Sequence, residues 1–381
     1  MKKIAAFAAA AVIITASACS LMACGNGDGD GHTHQYDWKR TETEHWQECI
    51  VEGCGKEKKG SRATHEDDGS ACPDCGAFAK VLAFGFTEGG DSAHADFAKE
   101  ANEWFPKAGK ENYFSYRFAG NDWNQLNDEN LANYDLVMFL NNIPNTHAQW
   151  TAFKNYVENG GAWMGFHSAG FAMWSVTPAT EDTSWYNYEF LRCGEYGNRP
   201  KEEGGEYWNT WNPTSEHLKV ETYNHFATRG LYYLSQNEET TVDTYHTTTR
   251  MAENLINSSN ANSLRTAKKE ALYTDEFMSA PCEWYAWEKD LFEDSDIDVL
   301  ITMNPSEDRP AGDDPRTGNE HQIWTSGTHP IAWANKNYNM VYMNWGHNLQ
   351  SYNHFEKESK TFSSPEQCTF MLSSIFGLVT A

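Results

Sequence analysis

The chemistry open to this sequence starts at His167. It follows an apolar run of strand length, Ala162 to Phe166, and stands in the pattern Gly165-Phe166-His167-Ser168-Ala169-Gly170. Just upstream, Asn159-Gly160-Gly161 is helix-stop chemistry, because glycine takes the left-handed conformation after a last helical turn without a steric penalty. A helix end, a short buried strand and a small-residue turn are therefore expected in succession. At the carboxyl end of a strand in an open α/β sheet, such a turn lifts a side chain clear of the backbone, as a nucleophile elbow does. An ordinary strand-to-helix turn with an incidental histidine fits the same residues.

A second concentration of reactive side chains lies in residues 32–78, which hold His32, His34, His45, Cys49, Cys54, His65, Cys72 and Cys75. Cys49-x4-Cys54-Gly55 and Cys72-Pro73-Asp74-Cys75-Gly76 are two thiol knuckles, and four thiolates or a cysteine/histidine mixture would satisfy tetrahedral zinc. The expected ligands are Cys49, Cys54, Cys72 and Cys75 in a zinc-ribbon-like module. Two disulfides are the competing expectation, favoured in an oxidising compartment. Either would staple a segment too small to bury its own core.

Residues 1–24 join Lys2-Lys3 to an apolar stretch from Ile4 to Ile14 and end on small residues, the form of a secretory signal. Leu21-Met22-Ala23-Cys24 resembles the lipobox of bacterial lipoproteins, which implies lipidation of Cys24 and anchoring to the outer face of the cell membrane. Cys19 is a second candidate. The apolar stretch is too short for a permanent span. Residues 25–31 form a Gly/Asp tether, and the remaining 79–381 are long enough for one large domain. A net charge of -25, with no basic patch, argues against nucleic acid as a partner. Fifteen Trp and eighteen Tyr suit stacking on sugar rings, although many must be core.

The elements that would position His167 follow from periodicity. Lys80–Phe86, Tyr113–Phe118, Tyr134–Leu140 and Ala162–Phe166 read as strands, with helices over Asp91–Phe105, stopped by Pro106, and Ala148–Glu158. Strands are expected again at Leu218–Thr222, Ile297–Met303, Pro330–Asn335 and Met340–Asn344, with a closing helix over Pro365–Phe376. The middle, from Trp174 to Glu283, has weak periodicity and predicts long loops, with an insertion over Thr240–Lys269. The alternation predicts a doubly wound, mainly parallel α/β sheet with loop ends gathered on one edge.

Five segments in order, Asp91-Ser92-Ala93-His94, Glu158 to His167, Asn224-His225-Phe226-Ala227-Thr228-Arg229-Gly230-Leu231, Glu283-Trp284-Tyr285-Ala286-Trp287 and Met343-Asn344-Trp345-Gly346-His347, resemble the ThuA-like (trehalose utilisation) family from about residue 80 onward. The resemblance implies the class I glutamine amidotransferase-like, flavodoxin-like fold and a link to carbohydrate. It places His167 where amidotransferases carry a cysteine nucleophile, so glutamine hydrolysis through a thioester is not expected. Cys282 stands where the family has an acidic residue or Asn before Glu-Trp-Tyr, and the block between His225 and Glu283 is long, which suggests an added rim over the pocket.

On that fold His167, Glu283 and His347 are the expected catalytic residues. A His/Glu/His set holds a divalent metal that activates water, or works unaided with Glu283 as base or as the group orienting a histidine. His94, His225, Trp284 and Trp345 are expected to contact substrate. His94 could instead cap the first helix, His225 could be structural, and His329 is expected in a loop. The expectation is an exported, lipid-anchored protein that hydrolyses or isomerises a sugar derivative. The alternative is a non-catalytic surface glycan-binding protein.

Overall fold

The computed structural model describes residues 34, 36–49, 54–65, 71–170, 181–194, 210–236, 276–304, 328–347, 350–351, 354–355 and 361–381. The signal, the Cys24 lipobox, the tether and the 240–269 insertion lie outside them. Residues from Gln35 onward form one compact unit. Among the described residues no helix is long and apolar enough to cross a membrane.

A nine-stranded sheet carries the fold. Its parallel half comprises β4 (Lys80–Gly85), β5 (Ser115–Gly120), β6 (Leu136–Leu140), β7 (Ala162–Phe166) and β14 (Met340–Met343). They stand in the order β5-β4-β6-β7-β14, the 2-1-3-4-5 order of flavodoxin-like sheets. The other half is antiparallel, with β13 (His329–Asn335), β12 (Ile297–Met303), β9 (His217–Val220) and β10 (Glu276–Met278) added outward from β14. The sheet is thus mixed. Residues 336–339 explain the switch, because a parallel neighbour needs a crossover of a dozen residues or more and this connection is a short hairpin. His329 begins β13 instead of lying in a loop.

Both faces of the parallel strands are buried, as their continuous apolar runs require. On β4, Val81 and Ala83 join one core while Leu82 and Phe84 join the other. The first core packs α1 (Ser92–Asn112) and α6 (Pro365–Val379) through Phe97, Ala101, Phe105, Phe370 and Ile375, with α5 (Phe226–Gln236) contributing Ala227 and Leu231. The second packs α3 (His147–Glu158) through Trp150, Phe153 and Val157. α3 starts on a reciprocal capping box between Thr146 and Gln149.

Helix α1 continues through Pro106, where the sequence predicts its end. An interior proline costs about 3 kcal/mol. Burial of Phe105, Ala108 and Gly109 around it offsets that cost, with Phe105 stacked on Tyr116 and the Phe114 N–H donating to the Gly109 carbonyl at 3.0 Å. α5 is the other departure, a helix inside the stretch of weak periodicity.

A small antiparallel sheet precedes the large one, formed by β1 (Tyr36–Arg40), β2 (Glu44–Cys49) and β3 (Ala63–Thr64). The Cys72-Pro-Asp-Cys75 turn follows it and leads directly into β4. Arg40 lies over the Phe376 ring at 3.9 Å, and Gly76, at φ +68, fits where a Cβ would stand 2.6 Å from that ring.

His225 shows how one helix end titrates. Its Nδ1 accepts from the Ala227 backbone N–H at 3.2 Å, so the cap needs the neutral imidazole. Burial lowers its pKa from the ordinary 6.5 to about 4, with Asp298 opposing. The unfolded chain therefore takes up the proton first, and the stabilisation present above pH 6.5 is lost as pH falls toward 4. His225→Asn keeps a side-chain acceptor at the cap without the titration. Its melting temperature is expected to fall less steeply than the parent's between neutral pH and about pH 5 in pH-resolved thermal denaturation.

Candidate functional site: a histidine and carboxylate cluster at the strand ends

Four loops at the carboxyl edge of the parallel half converge. His94 comes from the first turn of α1, whose N-cap Asp91 accepts from the Ala93 N–H at 2.7 Å. His167 opens the turn after β7, and His347 lies just past β14. Glu283 belongs to β11 (Cys282–Tyr285), which pairs with β8 (Thr210–Thr214) away from the large sheet.

The elbow expected at His167 is present in the backbone. His167 has φ +47, a left-handed conformation that costs a non-glycine residue about 1–3 kcal/mol. Two neighbours hold it. The Tyr342 hydroxyl donates to the His167 carbonyl at 2.7 Å, and Asn141 at the end of β6 accepts from the Ser168 N–H and hydroxyl at 3.2 and 3.3 Å. The same Asn141 amide donates to the Gly346 carbonyl, which joins the β6, β7 and β14 loops.

Asn344 performs the second junction. Its backbone carbonyl accepts from His167 Nδ1 at 2.8 Å. Its side chain accepts from the Tyr285 N–H at 3.2 Å and donates to the Glu283 carbonyl at 2.9 Å. The carbonyl can only accept, so His167 carries its proton on Nδ1 and presents a lone pair at Nε2. Burial keeps this imidazole and that of His94 well below their ordinary pKa, with His347 beside the first and His167 beside the second adding to the effect.

The four functional groups face one point. The ligand atoms of His94, His167, Glu283 and His347 all lie within 4.8 Å of one another. Glu283 Oε2 is 3.6 Å from His167 Nε2 and 3.8 Å from His347 Nε2, and the three imidazole centroids are 4.9, 5.0 and 5.2 Å apart. The edges of a tetrahedron of nitrogen and oxygen ligands around zinc measure about 3.3–3.6 Å. His94 Nε2 is buried with no hydrogen-bond partner. An orphaned imidazole nitrogen beside three other acceptors fits a cation among them.

Counting protons leads to the same place. The Tyr285 hydroxyl is 2.5 Å from His167 Nε2 and 2.9 Å from Glu283 Oε2. It has one proton for two acceptors. Either a second proton is shared within the His167–Tyr285–Glu283 chain or a cation meets these lone pairs. The residues can do either: hold a divalent ion through three imidazoles and a carboxylate, or pass a proton through the phenol to His167, whose single Nε2 lone pair serves one of the two.

Of the predicted residues, the structure thus brings His94, His167, Glu283 and His347 together. His225 is a cap on α5 and stands outside the cluster. Trp284 and Trp345, expected to contact substrate, are fully buried in the core, Trp345 against Phe370, where they pack. Cys282, whose neighbour is Glu283, is buried with its thiol pushed up to about 12, so it stays protonated. Tyr285 is the residue that sequence reasoning missed. Two-residue alternation on a strand places it on the face of Glu283, with Trp284 on the other.

A flavodoxin-like α/β sheet with a His/Glu cluster at its carboxyl edge defines the class. The sequence profile of the ThuA family, described as trehalose utilisation, matches residues 80–360, and the chain belongs to that family. A ThuA-like protein of known structure from Bacteroides uniformis is similar in fold, with 24% identity and a TM-score of 0.53 over 79% of this chain and 92% of its own. Another from Parabacteroides merdae gives 11% identity and a TM-score of 0.44 over 79% and 90%. The glutaminase domain of a Trypanosoma brucei CTPS gives 8% and 0.38 over 77% and 93%. No curated protein matches significantly.

Gly346 tests how tightly the cluster is set. It has φ +147, and a Cβ there would stand 2.9 Å from His167 Cβ and 3.3 Å from Asn141 Oδ1. Gly346→Ala is expected to displace the elbow, lowering stability by about 1–3 kcal/mol and metal affinity by about 10–100-fold. Thermal denaturation and calorimetric titration with a divalent ion check the two effects.

Proposed function

We propose that the protein is an exported, lipid-anchored enzyme that hydrolyses or isomerises a sugar derivative at a divalent metal bound by His94, His167, Glu283 and His347. The observation that carries this reading is the Tyr285 hydroxyl, set between His167 Nε2 and Glu283 Oε2 inside a cluster with metal-ligand spacing. Support for sugar comes from the family's description as trehalose utilisation. Export and anchoring through Cys24 rest on the Leu21-Met22-Ala23-Cys24 sequence.

A bound divalent ion would supply the charge that makes a coordinated water or sugar hydroxyl acidic near neutral pH. The protein's own groups then move the proton. Glu283 is 21% exposed, against 8% for His347 and none for His167, so its carboxylate is the group a ligand reaches. It accepts the proton and shares it with the Tyr285 hydroxyl 2.9 Å from its Oε2, because the single Nε2 lone pair of His167 would be on the metal. Asn344 keeps the His167 lone pair aimed inward by holding the Nδ1 proton. A buried histidine at the elbow and a protonated Cys282 leave no thiolate for amidotransferase chemistry.

The test is metal-loaded protein assayed on disaccharides and their oxidised derivatives, alongside His167→Ala and Tyr285→Phe. Tyr285→Phe is expected to keep the metal and lose about 10²–10⁴ in turnover, the usual share of a positioned acid/base group. His167→Ala should lose metal and turnover together. Sugar retention by the parent with no turnover would overturn the enzyme and support the glycan-binding alternative.

A further inference from the structure

A second cluster lies far along the chain from the His167 elbow and takes no part in it. His45 on β2, His65 just after β3, and Cys72 and Cys75 in the turn before β4 place one nitrogen or sulfur each within 4.8 Å of the others. The expected partners Cys49 and Cys54 do not belong to this set, and none of the described cysteines forms a disulfide.

The spacing is that of a tetrahedron. His45 Nδ1 is 3.4 Å from His65 Nδ1 and 3.4 Å from Cys72 Sγ, and Cys75 Sγ is 3.9 Å from His65 Nδ1. Zinc–nitrogen bonds of about 2.0–2.1 Å and zinc–sulfur bonds of about 2.3 Å give edges of about 3.3–3.8 Å. Hydrogen bonding accounts for none of this well, since sulfur is a weak partner and two Nδ1 atoms face each other. The outer ring nitrogens are oriented as metal-bound histidines require. His65 Nε2 lies 3.1 Å from the Thr41 carbonyl and His45 Nε2 lies 3.4 Å from the Asp74 carboxylate, acceptors that put the proton on Nε2 and leave Nδ1 free to bind.

We infer that His45, His65, Cys72 and Cys75 form a closed Cys2His2 site for a divalent ion of zinc type, which clasps the three-stranded sheet to the start of β4. The ligands come from two separate pieces. Two ride on the small sheet, and two on a turn tightened by the Cys72 N–H to the Ala77 carbonyl and the Gly76 N–H to the Cys72 carbonyl, both at 2.8 Å. That turn is seated on α6 through Gly76 and Phe376. Two thiolates with two imidazoles are the donor set of structural zinc sites, and His45, Cys72 and Cys75 are buried, so the site is structural and not catalytic.

The experiment uses the full mature chain loaded with cobalt in place of zinc. Thiolate ligands give a near-ultraviolet sulfur-to-cobalt charge-transfer band, which the all-nitrogen-and-oxygen cluster at His167 cannot produce. The band is expected in the parent and in Cys49→Ser/Cys54→Ser, and absent in Cys72→Ser/Cys75→Ser. Should the last variant misfold, alkylation of the parent decides: Cys72 and Cys75 are expected to react with iodoacetamide only after a chelator is added. A Cys72–Cys75 disulfide, alkylation indifferent to chelator, or a band lost with Cys49 and Cys54 would overturn the assignment. None of these outcomes bears on turnover at the His167 cluster.

Discussion

The cluster depends on one hydrogen bond, from His167 Nδ1 to the Asn344 carbonyl. It sets the tautomer, and the tautomer decides whether the buried imidazole offers a lone pair or a proton to the cluster. The bond joins adjacent parallel strands, since Phe166 pairs with Met343 and the next residues of each strand are His167 and Asn344. The remaining polar atoms of Asn344 tie in Glu283 and Tyr285 from a separate hairpin. A single asparagine thus fixes elbow, carboxylate and phenol in register, and Asn141 fixes the opposite side of the elbow.

This arrangement also explains the use of a strained histidine. A left-handed residue at the end of β7 turns the ring back over the strand ends, where His94 and His347 already point. Buried, mutually close imidazoles resist protonation, since each added charge would be desolvated and would repel the others. What such a site accepts readily is one ion bound by all its lone pairs, or a proton shared along Tyr285. The second cluster differs in its donors, two thiols beside two imidazoles, the set that structural zinc sites use.

Much of this is visible in the residues before any coordinates. Ala162–Phe166 and Ile297–Met303 are strands over the bounds that their apolar runs suggest, and the glycines around His167 announce the turn. The antiparallel half departs from the mainly parallel sheet that the alternation predicts, and only its β13–β14 pair follows from the short gap between Asn335 and Met340. Pro106 misleads because local propensity is outweighed by burial of Phe105 and Ala108. Tyr285 is hidden within an aromatic-rich motif, although its spacing from Glu283 gives its face. The second cluster misleads differently: cysteine spacing suggests Cys49 and Cys54, whereas β2–β3 pairing of His45 with Ala63 brings His45 and His65 together, a non-local contact that spacing cannot supply. Trp284 and Trp345 show that aromatic content does not tell a sugar platform from a core.

The most direct test of the central claim is anomalous diffraction from crystals of the metal-loaded protein, recorded on both sides of the metal's absorption edge. A peak is expected, bonded at about 2.0–2.2 Å to nitrogen atoms of His94, His167 and His347 and to a Glu283 carboxylate oxygen. No peak there, with the Tyr285 hydroxyl still bridging His167 and Glu283 in the presence of excess metal, would contradict a metal centre at these residues.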